Sequence, residues 1–163
     1  MKEAPLQDRY APLSICFGCG AANDRGLRIK SQRHTQGPPS ARGLRTVFRP
    51  EAHHQAFAGV VNGGIIGTLV DCHGNWTAAM ALLDATGAEA LPSTVTARYE
   101  VTLRRPTPYG VDLVLTSRIA KLDVVAGTAS VEIDLVADGA VTARGRGLFV
   151  AVEEGHPAFH RWD

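Results

Sequence analysis

One long stretch without any Lys, Arg or Glu constrains the fold of this chain more than any other feature. It runs from Gly64 to Leu83, its apolar residues recur at helical spacing, and Asn62 stands where it can cap the first turn. A solvent-exposed helix would carry long charged side chains, so we expect a sheet to wrap this one. The pattern predicts one central helix of about five turns.

The predicted helix has two unlike sides when it is laid out at about 100° per residue. One side carries the large apolar residues and His73, which we interpret as a core histidine. The other side is small and polar, with Asp71 as its only acid. We expect a partner chain, a substrate or both to cover this small side, and the partly desolvated Asp71 to have a raised pKa.

Alternating apolar and polar residues predict strands before and after the helix. Two short strands precede it and four antiparallel strands follow it, near residues 27–33, 44–48, 94–104, 111–122, 130–137 and 141–152. In the strand at 94–104, Tyr99 and Leu103 are expected on the buried side and Thr94 and Thr96 on the wet side.

This order of elements predicts an α+β fold, in which a curved antiparallel sheet of five to six strands wraps around one long helix. The 163 residues suit a single domain, with residues 1–15 and 153–163 as its N-terminal and C-terminal tails.

Charge and hydropathy exclude two classes of partner. A net charge of +1 gives no overall attraction to nucleic acid or to an anionic membrane. No apolar run reaches the roughly 18 to 20 residues of a membrane span, and the N-terminus lacks a secretory signal. We expect a cytoplasmic protein with neither nucleic acid nor membrane as partner, which three cysteines in no disulfide pattern also fit.

Cys16 and Cys19 have the C-x-x-C spacing that zinc sites and redox sites use. A redox pair is expected at a helix N-terminus, whereas this pair precedes a strand. Zinc needs two more ligands, and the sequence has no second C-x-x-C. The remaining candidates qualify only if folding gathers them: Cys72, His34, His53 and His54. We therefore predict no metal and no other cofactor, and interpret the cysteines as packed or turn-forming thiols.

Three segments carry a resemblance to a known family. They are residues 16–27, residues 55–64 with the helix opening Asn62-Gly63-Gly64, and the strand end at 103–108; Asp71 follows Gly63 by eight residues. This pattern resembles the PaaI-like acyl-CoA thioesterases of the hotdog-fold, 4-hydroxybenzoyl-CoA thioesterase-like superfamily. The resemblance implies a homodimer, possibly a dimer of dimers (homotetramer), that hydrolyses an acyl-CoA substrate.

The resemblance also implies roles for the helix residues. Asp71 would act on the thioester carbonyl as nucleophile or as general base, and the amides of Gly64 and Gly63, with Asn62, would form the oxyanion hole. Asp71 lies about 10 Å along the helix from Gly64, so both reach one carbonyl only if a second subunit supplies one of them. The alternative for Asp71 is a buried structural acid.

Five further residues are predicted to bind substrate. The resemblance places Gln55 on the site loop, and Thr68 and Asn75 lie within about one turn of Asp71, either orienting it or filling a helix contact. Arg104 and Arg105 end a strand and are candidates for the CoA phosphates, as are Arg144 and Arg146, unless they are ordinary surface charges.

One departure from the family keeps an alternative function open. The family usually has His at the position of Asn62, and an amide donates a hydrogen bond but carries no proton or positive charge. The alternative is a non-catalytic acyl-CoA-binding sensor or carrier. A hydratase needs a converging Asp and His pair, for which His73 points the wrong way, and a zinc-stabilised interaction module would need the metal.

Overall fold

A computed structural model describes residues 3–35 and 43–163 and confirms the predicted α+β architecture. The elements in chain order are α1 (Leu6–Tyr10), β1 (Ser31–Arg33), β2 (Leu44–Phe48), β3 (Gln55–Phe57), β4 (Val60–Val61), α2 (Gly63–Thr86), β5 (Thr94–Leu103), β6 (Leu113–Asp123), β7 (Thr128–Ala137) and β8 (Ala140–Ala151).

Six strands form one antiparallel sheet in the order β1-β2-β6-β7-β8-β5, and β3 pairs with β4 in a separate hairpin. Burial alternates along β7, where Val131, Ile133 and Leu135 face inward. Helix α2 packs on this inner face and contacts β2, β5, β6, β7 and β8. The sheet therefore wraps the helix as predicted, and β5 is an edge strand.

Helix α2 begins at the predicted cap and ends later than predicted. Asn62 caps it, and Gly87 ends it with a φ of 65°, a left-handed conformation that suits glycine. The apolar pattern stops at Leu83, but an exposed final turn continues to Thr86, whose hydroxyl donates to the Leu82 carbonyl at 2.8 Å.

The N-terminal residues are more ordered than the predicted tail. Within residues 6–10, which form α1, Leu6 and Gln7 are buried. The Gln7 amide donates to Ser31 Oγ at 3.1 Å and accepts the Ser31 N–H at 2.8 Å, so it joins α1 to the edge of the sheet. Residues 1 and 2 lie outside the described part of the chain.

The C-terminal residues also pack onto the domain. The Trp162 ring lies 4.6 Å from the Trp76 ring of α2, and its indole N–H donates to the Pro92 carbonyl at 2.9 Å. Arg161 donates to the Thr94 carbonyl at 2.5 Å. Residues 153–163 therefore cover the middle of α2 and the start of β5.

The expectation that a partner or a substrate covers the small side of α2 is wrong for most of its length. Ala78, Ala79 and Asn75 are buried by this chain alone. Gly18 of the N-terminal segment lies so close that a Cβ there would be 2.8 Å from Thr68 Cγ2. Small side chains let the segment approach the helix, which is exposed only at its two ends, residues 62–64 and 84–86.

His73 is a core histidine, as predicted. It is fully buried, and its Nδ1 lies 3.1 Å from Thr46 Oγ1 on β2. Burial lowers the pKa of His73 to about 4, so the ring is neutral at physiological pH.

Across residues 3–35 and 43–163, no helix is both long enough and apolar enough to cross a membrane.

Candidate active site

Of the two backbone amides predicted to form the oxyanion hole, those of Gly63 and Gly64, only one is free among the described residues. The Asn62 side chain accepts the N–H of Gly64 at 2.7 Å and that of Ile65 at 3.3 Å. The Asn62 N–H donates to the His54 carbonyl at 2.8 Å. Among the described residues, the N–H of Gly63 has no hydrogen-bond partner, so it is the donor that a substrate oxygen can reach.

The loop before α2 is held in shape by Gln55. Its amide donates to the Ala52 carbonyl at 2.9 Å and accepts the Gly59 N–H at 2.8 Å. Both polar ends of the side chain are used inside the loop. Gln55 therefore shapes the wall beside the helix N-terminus, with Phe57 exposed at its tip.

Asp71 is half-buried and held by one strong hydrogen bond. Thr96 Oγ1 of β5 donates to its carboxylate at 2.6 Å. Burial raises the pKa of Asp71, as predicted; the Thr96 hydrogen bond and the charge of Arg161 oppose the rise, and Cys16 adds to it. The carboxylate thus has one anchored oxygen and a partly open environment.

Asn75 and Thr68 do not contact Asp71 directly. Asn75 is buried, and its amide spans the hydroxyls of Thr94 and Thr96 at 2.5 and 3.3 Å. With its oxygen turned toward the Arg161 guanidinium, 3.1 Å away, Asn75 accepts a hydrogen bond from Arg161 and donates one to the Thr94 hydroxyl, while the Thr96 hydroxyl donates to Asp71. The Thr68 hydroxyl donates to the Gly64 carbonyl at 3.0 Å, within the helix. Asn75 therefore positions Thr96, which in turn holds Asp71.

The prediction missed Thr96 because the facing of β5 changes along the strand: Thr94 and Thr96 face α2 before a bulge, and Tyr99 and Leu103 face it after the bulge, as expected. Thr94 is fully buried, whereas Tyr99 and Leu103 are 46% and 57% exposed. The register of β5 against β8 shifts between Thr96 and Arg98, a bulge that breaks simple alternation. Hydroxyls face the helix here because Asn75 and Asp71 satisfy them, a partnership that strand periodicity does not reveal.

Arg161 was also missed, since nothing in the sequence shows where the C-terminal residues pack.

Arg104 and Arg105 lie at the end of β5, beside the start of α2. Leu103 Cδ1 would be 3.5 Å from a Cβ on Gly63, which fixes the strand end next to the free amide. Neither arginine side chain makes an ion pair with any described residue. By contrast, Arg144 pairs with Asp134 at 3.0 Å and Arg146 pairs with Glu100, so the other candidate arginines for phosphate are neutralised.

Folding gathers all three cysteines beside Asp71. Cys16 Sγ and Cys72 Sγ are 3.7 Å apart, and the three sulfurs lie within 4.8 Å of one another. Hydrogen bonding to Cys19 lowers the pKa of Cys16, whereas hydrogen bonding to Cys16 raises the pKa of Cys72 and brings that of Cys19 to about 11. The sequence made Cys72 a candidate ligand only if folding gathers it with Cys16 and Cys19, and the structure brings these three sulfurs together.

Comparisons with solved structures identify relatives of the same fold. A thioesterase superfamily protein from Shewanella loihica is 32% identical, with 75% of this chain and 90% of that one covered and a TM-score of 0.58. A thioesterase from Thermus thermophilus, complexed with coenzyme A and zinc, is 22% identical over 70% of this chain and 82% of its own, with a TM-score of 0.54. The Escherichia coli PaaI protein of the phenylacetic acid degradation operon is 16% identical over 68% and 72%, with a TM-score of 0.56. No protein-family model and no curated protein matches the sequence.

Proposed function

Because this chain belongs to the thioesterase superfamily and has its hotdog fold, we propose that it is an acyl-CoA thioesterase with Asp71 as its catalytic carboxylate. The observation that carries this proposal is the Asp71–Thr96 hydrogen bond, which holds a half-buried acid on the small side of α2. Desolvation with a raised pKa strengthens a carboxylate as a general base.

The reaction follows from the groups around Asp71. The carboxylate takes a proton from water while the water oxygen attacks the thioester carbonyl carbon, and the carbonyl oxygen becomes negative. The carbon–sulfur bond then breaks, and the thiolate leaving group takes up a proton. Direct attack by Asp71, through an anhydride that water hydrolyses, is the other route that the same geometry serves.

The Gly63 amide is the proposed oxyanion donor. It lies at the positive end of α2 and has no partner among the described residues. The amide group of Asn62 stands beside it, and its oxygen is already engaged by the helix cap, which leaves its N–H donors for substrate. Asn62 can therefore donate hydrogen bonds to the substrate but cannot transfer a proton to it. The His that is usual in the family at this position can do both.

We propose that the site forms between two subunits of a homodimer. Asp71 and Gly63 are eight residues apart on one helix, about 12 Å along its axis, too far to share one carbonyl. The edge of β5 offers an interface, because Tyr99 and Leu103 are exposed there beside Gly67 and Gly63. Pairing two such edges would bring the start of one α2 toward the Asp71 of the other.

Coenzyme A is the proposed carrier of the acyl group. Arg104 and Arg105 follow Leu103, which packs at the helix N-terminus, and neither makes an ion pair with a described residue, so they would pair with phosphate. The Thermus thermophilus thioesterase of this fold, crystallised with coenzyme A, supports the assignment.

The direct test is release of free CoA from a panel of acyl-CoA esters of different chain length and aromatic character. We expect turnover with at least one ester, and Asp71→Asn to lower kcat by at least about a hundredfold with the fold intact. Asp84→Asn, which removes another acid of α2, is the matched control and keeps full activity.

A second candidate function, an acyl-CoA-binding sensor or carrier, is favoured by Asn62. Calorimetric binding of acyl-CoA by the wild-type protein without any release of CoA would establish it and reject hydrolysis.

A further inference from the structure

The three cysteines converge from two separate segments. Cys16 and Cys19 lie on a turn closed by a hydrogen bond of 2.8 Å from the Gly20 N–H to the Cys16 carbonyl. Cys72 comes from the middle of α2. Gly18, between the first two, packs on the helix at a distance that no residue with a Cβ would allow, so the turn is pressed against Cys72.

The spacing of the sulfurs suits a tetrahedral ion. With zinc–sulfur bonds of about 2.3 Å, two thiolates on one zinc lie about 3.8 Å apart. The Cys16 and Cys72 sulfurs are 3.7 Å apart, and the third sulfur is within 4.8 Å of both. A disulfide needs about 2.05 Å and would leave one of the three cysteines over.

A buried donor next to the cluster supports the same reading. The Trp76 indole N–H is fully buried and has no hydrogen-bond partner among the described residues. It lies beside the Cys19 sulfur. A buried N–H without a partner costs free energy, and a metal-bound thiolate would accept its hydrogen bond.

We propose that Cys16, Cys19 and Cys72 form a three-thiolate zinc site that fastens the N-terminal segment to α2. Cys19 and Cys72 are buried and Cys16 is half-exposed, so the fourth position of the zinc opens on the side of Cys16 to water or another small ligand. The ligands bind as thiolates, so loading the metal releases thiol protons to solvent. The argument for this site does not rest on the proposed hydrolysis.

The first measurement is the metal content of protein produced in zinc-supplemented medium and purified without chelators. We expect about one zinc per chain, which is one ion for each set of three thiolates. Replacing zinc with Co²⁺ should give thiolate-to-cobalt charge-transfer absorption together with the visible bands of tetrahedral cobalt.

Variants assign the ligands. Cys16→Ser, on the most exposed ligand, is expected to lower zinc affinity at least tenfold and to weaken the charge-transfer absorption. His53→Asn is the control, because His53 is exposed and is the residue type most prone to adventitious zinc binding. It should leave both readouts unchanged.

Wild-type protein keeps the proposal testable even if cysteine variants fold poorly. Removal of zinc by a chelator should make all three thiols reactive and increase amide hydrogen exchange over residues 14–29. Three freely reactive thiols in zinc-supplied protein, cobalt binding without charge-transfer absorption, or copper or iron in place of zinc would each overturn the assignment.

Discussion

Asn62 decides which amide at the start of α2 is free. Its side-chain oxygen accepts the N–H groups of Gly64 and Ile65, so Gly63 is left as the available donor. Sequence reasoning identified the cap and the amide-rich first turn correctly. It could not say which amide the cap consumes, because an N-cap side chain can bond either of two following amides and only the folded geometry selects between them.

Replacing Gly63 by Pro removes this one N–H with little effect on the helix. Gly63 is the first helical residue, where proline is well tolerated, and Asn62 has a φ of −60° and a ψ of 136°, which suit a residue before proline. If the Gly63 amide stabilises the oxyanion, kcat should fall by about 10²–10³ in a CoA-release assay.

Gly63→Ala is the matched control, because it keeps the N–H and its Cβ would make only ordinary contact with Leu103 at 3.5 Å. Circular dichroism should show the same helix content for both variants. An active Gly63→Pro protein with an unchanged kcat would show that the oxyanion is stabilised elsewhere.

Thr96 is the residue that positions Asp71. Thr96→Val removes the hydroxyl that donates to the carboxylate at 2.6 Å but keeps the shape of the side chain. A hydrogen bond to a charged group contributes about 1.5–3 kcal/mol, so kcat should fall roughly ten- to a hundredfold.

KM separates this role from a structural one. Thr96→Val should leave KM close to the wild-type value, and Thr96→Ser, which restores a hydroxyl, should recover most of kcat. Equal losses in the Val and Ser variants would mean that the hydroxyl alone does not restore the site, which would contradict a role carried by its hydrogen bond to Asp71.

At the scale of the elements, α2 and the sheet meet at glycines. A Cβ on Gly74 would lie 2.9 Å from Phe149 Cε2 and 3.3 Å from Ile133 Cδ1, and Phe149 is fully buried. The helix therefore sits closer to β7 and β8 than larger residues would permit. A residue without a side chain is therefore needed at position 74, where the helix approaches the sheet closely.

Two glycines of the same helix make a matched pair of stability variants. Gly74→Ala should overpack the contact with Phe149 and destabilise the protein by about 1–3 kcal/mol. A Cβ on Gly67 would make only ordinary contact with Tyr99, whose hydroxyl oxygen would be 3.5 Å away. Gly67→Ala should therefore increase the free energy of unfolding by roughly 0.5–1 kcal/mol, the difference in helix propensity between alanine and glycine.

Thermal unfolding of the two variants measures the difference, with each kcal/mol worth about 2–4 °C in Tm for a chain of this size. Equal Tm values for both would indicate that the sheet moves away from the helix freely.

The elements themselves were largely predictable. The missing charges and the apolar periodicity of residues 64–83 identified the helix, and alternation identified β2, β6, β7 and β8. The facing of Thr94 and Thr96 at the start of β5 was not predictable, because a bulge separates them from the rest of the strand and because their hydroxyls are satisfied by helix residues distant in sequence. The alternation of apolar and polar residues along a strand shows which residues are polar. It does not show which of them find a hydrogen-bond partner in the interior.

At the scale of the whole molecule, other parts of the same chain cover most of α2, and the rest of the helix is left exposed. Residues 1–15 and 153–163 were expected to be tails, yet Leu6 is buried and Trp162 packs on the helix. Contacts between chain ends and the centre depend on tertiary folding, which local sequence patterns do not encode. The first turn of α2 and the edge of β5 remain exposed, and these are the two features that a homodimer would use.

Subunit complementation tests this arrangement. If each site takes Asp71 from one subunit and the Gly63 amide from the other, a hybrid of Asp71→Asn and Gly63→Pro subunits has one doubly damaged site and one intact site. When the two variants are mixed equally and exchange subunits fully, half of the dimers are hybrids. Each hybrid has one intact site out of two, so about a quarter of the wild-type activity should return, although each parent alone is inactive.

Hybrid formation is verified by native mass spectrometry of dimers carrying one tagged subunit, with each parent mixed with itself as the control. A mixture that contains hybrids but is no more active than its parents would place Asp71 and its oxyanion donor in the same subunit. Because Asp71 and Gly63 of one subunit are about 12 Å apart along the helix, the oxyanion donor would then have to be a different group. The kcat of the Gly63→Pro variant would show separately whether the Gly63 amide contributes to the reaction.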